Sequence, residues 1–195
     1  MAPEGKDATK LMLQRVRKLK ERVPNLLDSD EAAKKFPVTY ENSLNNVLRL
    51  ELIRYNQLIS CIHTSLDQLE KALKGKVLES TKIGISWNFV FSGEVVMSLE
   101  LEQSYESLLF RNELPVNWRP YAFRTEANLR EFLKDLGDRV DFYNKWIREQ
   151  HDNRFWLKAF YMPQAFLTAI KLNYARKQQG VSLSMIYCIS WDFGM

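Results

Sequence analysis

The strongest constraint in this sequence is an apolar stripe between residues 44 and 73 that no glycine or proline interrupts. Its members recur mainly at steps of three and four residues, which places them on one face of an α-helix. At 1.5 Å per residue, a helix over residues 40–74 would be a rod of roughly 50 Å. The broad, irregular spacing favours a packed bundle helix over a coiled-coil strand. The stripe consists of Leu44, Val47, Leu48, Leu52, Tyr55, Leu58, Ile59, Ile62, Leu66, Leu69 and Leu73.

The ends of this long helix carry plausible boundary residues. Either Thr39 or Asn42 could serve as its N-cap, since side-chain oxygens at that position accept hydrogen bonds from the first free backbone N–H groups. Gly75 is well placed to end the helix. The residues between Pro24 and this helix are predicted to form a linker.

Four further segments carry helical periodicity: residues 7–23, 94–110, 126–150 and a segment that begins at Pro163 and ends near Gly180. Gly137 interrupts the third of these, which predicts close helix packing or a bend there. Residues 181–193 alternate between apolar and polar side chains, as one strand would. The sequence therefore predicts an all-α bundle of about five helices, one of them long, with a short C-terminal strand or extended tail.

Composition and charge bound the class of protein. With 195 residues, of which 46% are hydrophobic and 27% charged, the polypeptide is large enough to form one domain with a real core. The net charge of +4 lies entirely in residues 1–23, where seven basic side chains stand against three acidic ones. We interpret this basic helix as a solvated face, and the interleaved acids argue against a nucleic-acid arm.

The cysteine content and hydropathy predict a location inside the cell. Cys61 and Cys188 match no metal-binding spacing and follow no apolar leader, which favours a reducing compartment. No apolar run approaches the roughly twenty residues that span a bilayer. We expect a soluble protein with neither a nucleic-acid nor a membrane partner.

The sequence lacks the pattern of a nucleotide-binding loop. Such a loop needs glycines for close backbone approach to phosphates, followed by Lys and a hydroxyl residue. Gly75 and Lys76 supply one pair, but Glu70 and Val77 stand where a glycine and the hydroxyl are required. We therefore predict no ATP site in this sequence.

The residues that could carry other chemistry have structural interpretations. His63 has Asp67 one helical turn away, a pair that a helix-surface hydrogen bond explains; His151 lies at a predicted helix end, and Cys61 is interpreted as an inert thiol. Glu51 and Glu70 each have a basic residue one turn away, as solvated faces do. The remaining candidates are Glu94, Glu100 and Glu102, which have no His or Cys to work with, and Phe155, Trp156, Phe160, Tyr161 and Phe166, interpreted as core. We predict no catalytic, cofactor-binding or metal-binding residues.

Three stretches in order resemble the C-terminal region of dynein heavy chains. They are "FPVTYENSLNNVLRLELIRYNQLI" with "LDQLEKALKG", then "EVVMSLELEQSYESLL" with "LPVNW", then "FWLKAFYMPQAFLTAIKLNYARK". The matching residues are Tyr40, Ser43, Asn45, Val47 and Leu48 in the first, and Phe155, Trp156, Phe160, Gln164, Ala165, Phe166, Leu167, Thr168, Ala175 and Arg176 in the last. Arg49, Leu50 and Leu172 depart from the family pattern.

The periodicity and charge predict residues 1–35 as a basic amphipathic helix with a linker. The resemblance implies that residues 36–195 are the helical region that follows the sixth AAA+ module of a dynein heavy chain. The parent would be an ATP-driven motor that moves toward microtubule minus ends. The sequences of the loops suggest an axonemal type, in the cytoskeleton of a cilium. This region would be a structural and mechanical fragment. ATP and Mg²⁺ would bind in the parent motor, outside this region.

Residues 76–93 interrupt the resemblance. In the family a sequence like "KALKG" runs directly into "EVVMS", and removing these eighteen residues restores that junction. The segment is interpreted as a non-family insertion, either a retained intron or a genuine surface loop.

The resemblance also implies partners. They would be the remainder of the dynein ring and other dynein subunits, with microtubules contacted only through regions outside this sequence. The alternative from the residues is a free-standing helical adaptor that holds a protein partner. Nucleic-acid binding is a third possibility, which only the basic first helix favours.

Overall fold

The computed structural model describes residues 4–74, 77–79, 95–97, 103, 106–149 and 155–178. The helices in these ranges are α1 (Glu4–Lys20), α2 (Ser29–Lys35), α3 (Ser43–Leu73), α4 (Leu129–Arg148) and α5 (Pro163–Lys177). Two three-residue strands, β1 (Val77–Glu79) and β2 (Val95–Met97), pair in parallel with Val77 opposite Val95. The all-α class predicted from the sequence is confirmed.

The long helix predicted from the apolar stripe is confirmed as the 31-residue α3. Asn42 lies immediately before it, and Pro163 occupies the first turn of α5, where its missing N–H costs no hydrogen bond. Arg176 and Lys177 lie in the last turn of α5, where positive charge complements the helix dipole. These local signals placed the helices within a few residues of their observed bounds.

The short helix α2 was missed, because its segment was assigned to a linker. The side chain of Asp28 accepts hydrogen bonds from the backbone N–H groups of Asp30, at 3.1 Å, and Glu31, at 2.8 Å. The sequence signal was an acidic capping residue followed three positions later by Glu31. That signal could have predicted the helix.

The prediction of one helix over residues 94–110 was wrong at its beginning. Val95–Met97 forms β2, since β-branched valines suit a strand and β1 supplies hydrogen-bonding partners. Near the end of this segment, Ser107–Arg111 forms a π-helical turn that stops at Asn112, whose φ of 53° is left-handed. The predicted C-terminal strand lies outside the described residues. So does the segment 76–93, apart from β1, and its interpretation as an insertion stays a prediction.

The described residues group into two compact units, and the first comprises those within Met1–Leu27 and Arg54–Asp141. Its core contains Trp118 and Phe132, both fully buried. The rings of Phe123 and Phe132 stack with their centroids 4.8 Å apart. Other buried apolar residues of this unit are Val16, Val23, Tyr55, Leu58, Ile59, Ile62, Leu66, Leu69, Leu129, Leu133, Leu136 and Val140.

The side chain of Asn56 joins α3 to the segment that follows α1. Its Oδ1 accepts a hydrogen bond from the Leu27 N–H at 2.8 Å, and its Nδ2 donates to the Leu27 carbonyl at 2.9 Å. One side-chain amide therefore satisfies both backbone polar groups of a buried residue.

A side-chain network ties the irregular loop of residues 112–128 to α3. The amide of Asn117 donates to Ser65 Oγ at 2.9 Å, and Ser65 Oγ donates to the Cys61 carbonyl at 2.7 Å. The Cys61 thiol donates to the Asn117 carbonyl at 3.6 Å. Together with fully buried Trp118, these bonds hold a loop without regular structure against the helix.

The second unit comprises the described residues within Asp28–Ile53 and Phe142–Met195. Aromatic rings dominate its core, with Phe160 and Phe166 centroids 4.4 Å apart and Trp146 and Phe155 centroids 5.2 Å apart. The Tyr143 hydroxyl donates to the Ala159 carbonyl at 3.2 Å. Five aromatic residues after residue 154 were predicted as core. Phe160 and Phe166 are buried as expected, whereas Phe155, Trp156 and Tyr161 are half-buried.

Among the described helices, none combines the length and apolar character needed to cross a bilayer.

Of the two alternatives expected at Gly137, close packing was wrong, and a bend stays a prediction. A Cβ built at this position would meet no described atom within 4 Å. Gly137 therefore destabilises α4 through the conformational entropy that glycine loses on folding, and no close contact compensates for it.

We expect Gly137→Ala to raise the free energy of unfolding by about 0.5–1 kcal/mol, because alanine restricts the unfolded state and fits helical geometry. Urea denaturation measures this change. Asp138→Gly, at the exposed neighbouring position, is the opposite-sign control and should lower stability. A destabilising Gly137→Ala would mean that the space above the glycine is occupied.

Candidate functional site

The start of α3 is held by side chains from the last turns of α5. A helix leaves its first backbone N–H groups without partners inside the helix. Here the Ser43 N–H donates to Asn173 Oδ1 at 2.7 Å, and Asn173 Nδ2 donates to Asn42 Oδ1 at 2.8 Å. Asn173 thus caps a helix that lies 130 residues earlier in the sequence.

Arg176 completes this arrangement from one turn further along α5. Its Nη1 donates to Ser43 Oγ at 2.7 Å and also to the Tyr40 carbonyl. The guanidinium carbon lies 4.1 Å from the centre of the Tyr40 ring, which is a cation–π contact. We call the set Tyr40, Asn42, Ser43, Asn173 and Arg176 the α3–α5 clamp.

The other end of α5 is held by a buried carboxylate on α3. Glu51 is 1% exposed, and its Oε2 accepts a hydrogen bond from the Tyr161 N–H at 2.8 Å while Oε1 accepts one from the Met162 N–H at 3.3 Å. These N–H groups immediately precede Pro163, so the negative charge lies at the positive end of the helix dipole.

The interpretation of Glu51 as part of a solvated face was wrong. Arg54 lies one helical turn after Glu51, which suggested an exposed pair of charges. However, Glu51 also lies four residues after Val47 and four residues before Tyr55, and both of these are buried. That position inside the apolar stripe was the sequence signal that could have predicted burial.

Arg139 is a buried cation of the first unit that sequence reasoning missed. It is 8% exposed, and it bonds Asp135 Oδ2 at 3.0–3.1 Å and the Tyr55 hydroxyl at 3.4 Å. Its guanidinium carbon lies 3.9 Å from the centre of the Phe123 ring. Burial works to lower the pKa of Arg139, but the hydrogen bonds outweigh it, so the pKa lies above its ordinary value.

Comparison with known proteins identifies the family of this chain. Residues 2–84 and 86–192 match the family described as the C-terminal domain of the dynein heavy chain. The protein belongs to this dynein family. In the structure, the α3–α5 clamp brings together Tyr40, Ser43 and Arg176. In the sequence these residues lie in two separate stretches that resemble the family.

Curated dynein heavy chains are similar over most of this sequence. Dynein axonemal heavy chain 1 of Mus musculus is 39% identical over 156 residues, or 80% of this chain. Dynein axonemal heavy chain 3 of Homo sapiens is 34% identical over 173 residues, and Dynein axonemal heavy chain 6 of Homo sapiens is 33% identical over 178 residues, each covering 89% of this chain. The chain spans 3–4% of the length of these relatives.

In the first unit of this dynein domain, an ionic cluster joins α1 to the end of α3. Lys20 Nζ lies 2.5 Å from both Glu70 Oε2 and Asp67 Oδ1, and Lys74 Nζ lies 2.7 Å from Glu70 Oε1. Hydrogen bonds from Lys20 and Lys74 lower the pKa of Glu70 to about 2, against the opposing effect of partial burial. The predicted pairing of Glu70 with Lys74 is present. However, the Glu70 side chain is only 15% exposed, so it does not lie on a fully solvated face, and it also pairs with Lys20 of α1.

His63 and Cys61, which were also considered for chemistry, make structural contacts in this domain. His63 Nε2 lies 3.2 Å from the Pro24 carbonyl, whereas Asp67 pairs with Lys20, so the His63–Asp67 hydrogen bond was wrongly predicted. Cys61 is half-buried, and burial raises the pKa of its thiol, which disfavours the reactive thiolate. Within the described ranges, no group of three or more His, Cys, Asp or Glu side chains could hold a metal ion. His151, Gly75, Lys76, Glu94, Glu100 and Glu102 lie outside the described residues.

We expect Arg176→Ala to lower the free energy of unfolding by about 1–3 kcal/mol, because it removes charge-assisted hydrogen bonds and the contact with Tyr40. Arg176→Lys should lose less, since it keeps the charge but not the planar fork. Urea denaturation followed by circular dichroism measures both. Lys177→Ala, at the adjacent exposed position, is the matched control; an equal loss in that variant would contradict a specific role for the α3–α5 clamp.

We expect Glu70→Gln to lower the free energy of unfolding at neutral pH by about 1 kcal/mol, since solvent screens the partly exposed partners. The pKa of Glu70 falls from 4.5 to about 2 on folding. Its charge therefore stabilises the folded state above pH 4.5, and this contribution is lost as the pH falls toward 2. Urea denaturation across this range should show the two proteins converging at low pH.

The control for this titration is Glu149→Gln, which breaks an exposed 3.8 Å pair with Lys145. It should leave stability almost unchanged at every pH. A constant difference between Glu70→Gln and the unaltered protein from neutral to acid pH would contradict the ionic cluster as the source.

Proposed function

We propose that this protein is the mechanical, non-catalytic C-terminal domain of an axonemal dynein heavy chain. The observation that carries the proposal is the α3–α5 clamp, in which family-like residues from the first and the last of the three dynein-like stretches bond one another. The described buried polar side chains, Glu51, Ser65 and Arg139, all hold elements of the fold in place. This use of polar groups supports a structural role.

A mechanical role follows from how such a domain responds to force. Close-packed interfaces have few alternative arrangements, so displacement at one end of a helix is transmitted instead of being absorbed. Side-chain bonds hold α5 at its N-terminus through Glu51 and in its last turns through Asn173 and Arg176. Both contacts support α5 moving with α3 as one element.

The proposal extends to location and partners. The axonemal names of the relatives support the axoneme of a cilium as the site of action. We expect the partners to be the remainder of the dynein ring and other dynein subunits, with microtubules contacted through other regions. ATP and Mg²⁺ would bind in the AAA+ modules of the motor and not in this domain.

We expect a chimera, in which this domain replaces the matching region of mouse Dynein axonemal heavy chain 1, to move microtubules in a gliding assay. Arg176→Ala in the chimera should slow gliding by roughly twofold or more, because changes along a coupling network alter coupling by about 0.5–2 kcal/mol. Lys177→Ala should glide at the unaltered speed, and nucleotide binding by the motor should be the same in all three proteins.

A second measurement tests the absence of catalysis. Isothermal titration calorimetry of the isolated domain with millimolar Mg-ATP should give no binding heat. Stoichiometric binding would overturn the non-catalytic assignment. Isolation of the native protein in a stable complex without any dynein heavy chain would instead favour a free-standing adaptor.

A further inference from the structure

A basic concavity lies beside α4 in the first unit. Its walls are formed by Arg22, Arg130, Glu131, Leu133, Lys134 and Gly137, and its volume is about 600 Å³. Arg130, Lys134 and Gly137 follow one another at steps of four and three, so they share one face of α4. Arg22, from the turn after α1, adds a third cation from a separate segment.

The cations of the basic concavity outnumber the carboxylates among its lining residues. Neither Arg22, Arg130 nor Lys134 forms an ion pair with a described residue, although Lys20 and Arg139 of the same unit each bond a carboxylate. Glu131 is the single carboxylate among the lining residues. The surface therefore keeps an excess of positive charge that a negatively charged ligand would neutralise.

One of these cations, Arg130, occupies a position that is electrostatically unfavourable for α4 itself. Asn128 caps the helix by accepting a hydrogen bond from the Glu131 N–H at 3.0 Å, which places Arg130 in the first turn. Positive charge there opposes the helix dipole, and like charges at positions i and i+4 repel each other. An anion bound between Arg130 and Lys134 would relieve both effects.

The shape of the concavity fits an extended peptide. Gly137 has no side chain, and the described residues leave the space above it open. Residues four apart on a helix are separated by about 6 Å along its axis, and alternate side chains of an extended peptide by about 6.6 Å. Carboxylates at alternate positions of a peptide would therefore match the spacing of Arg130 and Lys134.

A second concavity in this unit is less suited to an anion. It is lined by Arg111, Arg119 and Arg124, but also by Glu113 and Glu126. Arg111 already donates to Glu106 at 2.7 Å. Because its charges are nearly balanced, it offers a matched control for the basic concavity.

We propose that the basic concavity docks an acidic peptide segment of a partner protein. Carboxylates of the peptide bind the guanidinium groups of Arg22 and Arg130 and the ammonium group of Lys134, and the peptide backbone passes over Gly137. This inference is independent of the motor assignment, since it rests on the charges and shape of the first unit alone.

The test measures binding of a fluorescein-labelled peptide of alternating Glu and Ser to the full 195-residue protein. Fluorescence anisotropy at low salt reports the binding. Lys134→Gln should weaken binding about threefold, as expected for loss of one exposed ion pair, and combined substitution of Arg22, Arg130 and Lys134 by Gln more than tenfold. Gly137→Leu, which fills the floor without changing charge, should also weaken binding. Thermal midpoints should show that each variant is folded.

Three outcomes would overturn the proposal. Arg124→Gln, the control in the second concavity, should bind the peptide as tightly as the unaltered protein does. If its affinity fell as much as that of Lys134→Gln, the peptide would be bound by diffuse charge attraction and not by the basic concavity. Unchanged binding in the triple variant would place the peptide elsewhere. Tighter binding of a single-stranded oligonucleotide than of the acidic peptide would assign the surface to nucleic acid instead.

Discussion

The second unit depends on one buried charge, the carboxylate of Glu51. A buried carboxylate is strongly destabilising unless hydrogen bonds replace its lost water. Glu51 obtains such bonds from the Tyr161 and Met162 N–H groups, which in turn lack partners inside α5 because they precede its first turn. The carboxylate supplies the acceptors that these N–H groups need, and they supply the donors that the carboxylate needs. This contact therefore favours the start of α5 as the segment that lies against α3 at Glu51.

With the N-terminus of α5 fixed in this way, the α3–α5 clamp sets its direction. Asn173 and Arg176 reach the first residues of α3, whereas Glu51, about two turns further along α3, reaches the beginning of α5. The two helices therefore run in opposite senses, with their register determined by polar contacts at both places. Aromatic packing supplies much of the buried surface, but rings alone tolerate sliding more readily than directional bonds do.

Sequence patterns predicted the helices but not the contacts between their ends. The apolar stripe of α3 and Pro163 at the start of α5 are local signals, and both elements formed as predicted. The pairing of Ser43 with Asn173 spans 130 residues, and no spacing rule in one sequence can reveal it. The resemblance to dyneins had singled out Tyr40, Ser43 and Arg176 as family-like without indicating that they touch.

The errors share one physical cause. Glu51 was interpreted by the charge of its side chain and Arg139 was not considered, although each occupies an interior position of an apolar stripe, where burial is set by the helix face. Val95–Met97 was assigned to a helix because apolar spacing is ambiguous in short runs, and the available strand partner at Val77–Glu79 decided the outcome. In each case tertiary context overrode a local rule.

The hydrogen bonds between Asn56 and Leu27 have a consequence for the chemical ageing of the protein. Slow hydrolysis of an asparagine amide produces aspartate, which accepts hydrogen bonds but has no N–H to donate. At position 56 this change would keep the acceptor for the Leu27 N–H, yet turn a carboxylate oxygen toward the Leu27 carbonyl. The lifetime of a single amide group thus limits how long both backbone polar groups of Leu27 stay paired with α3.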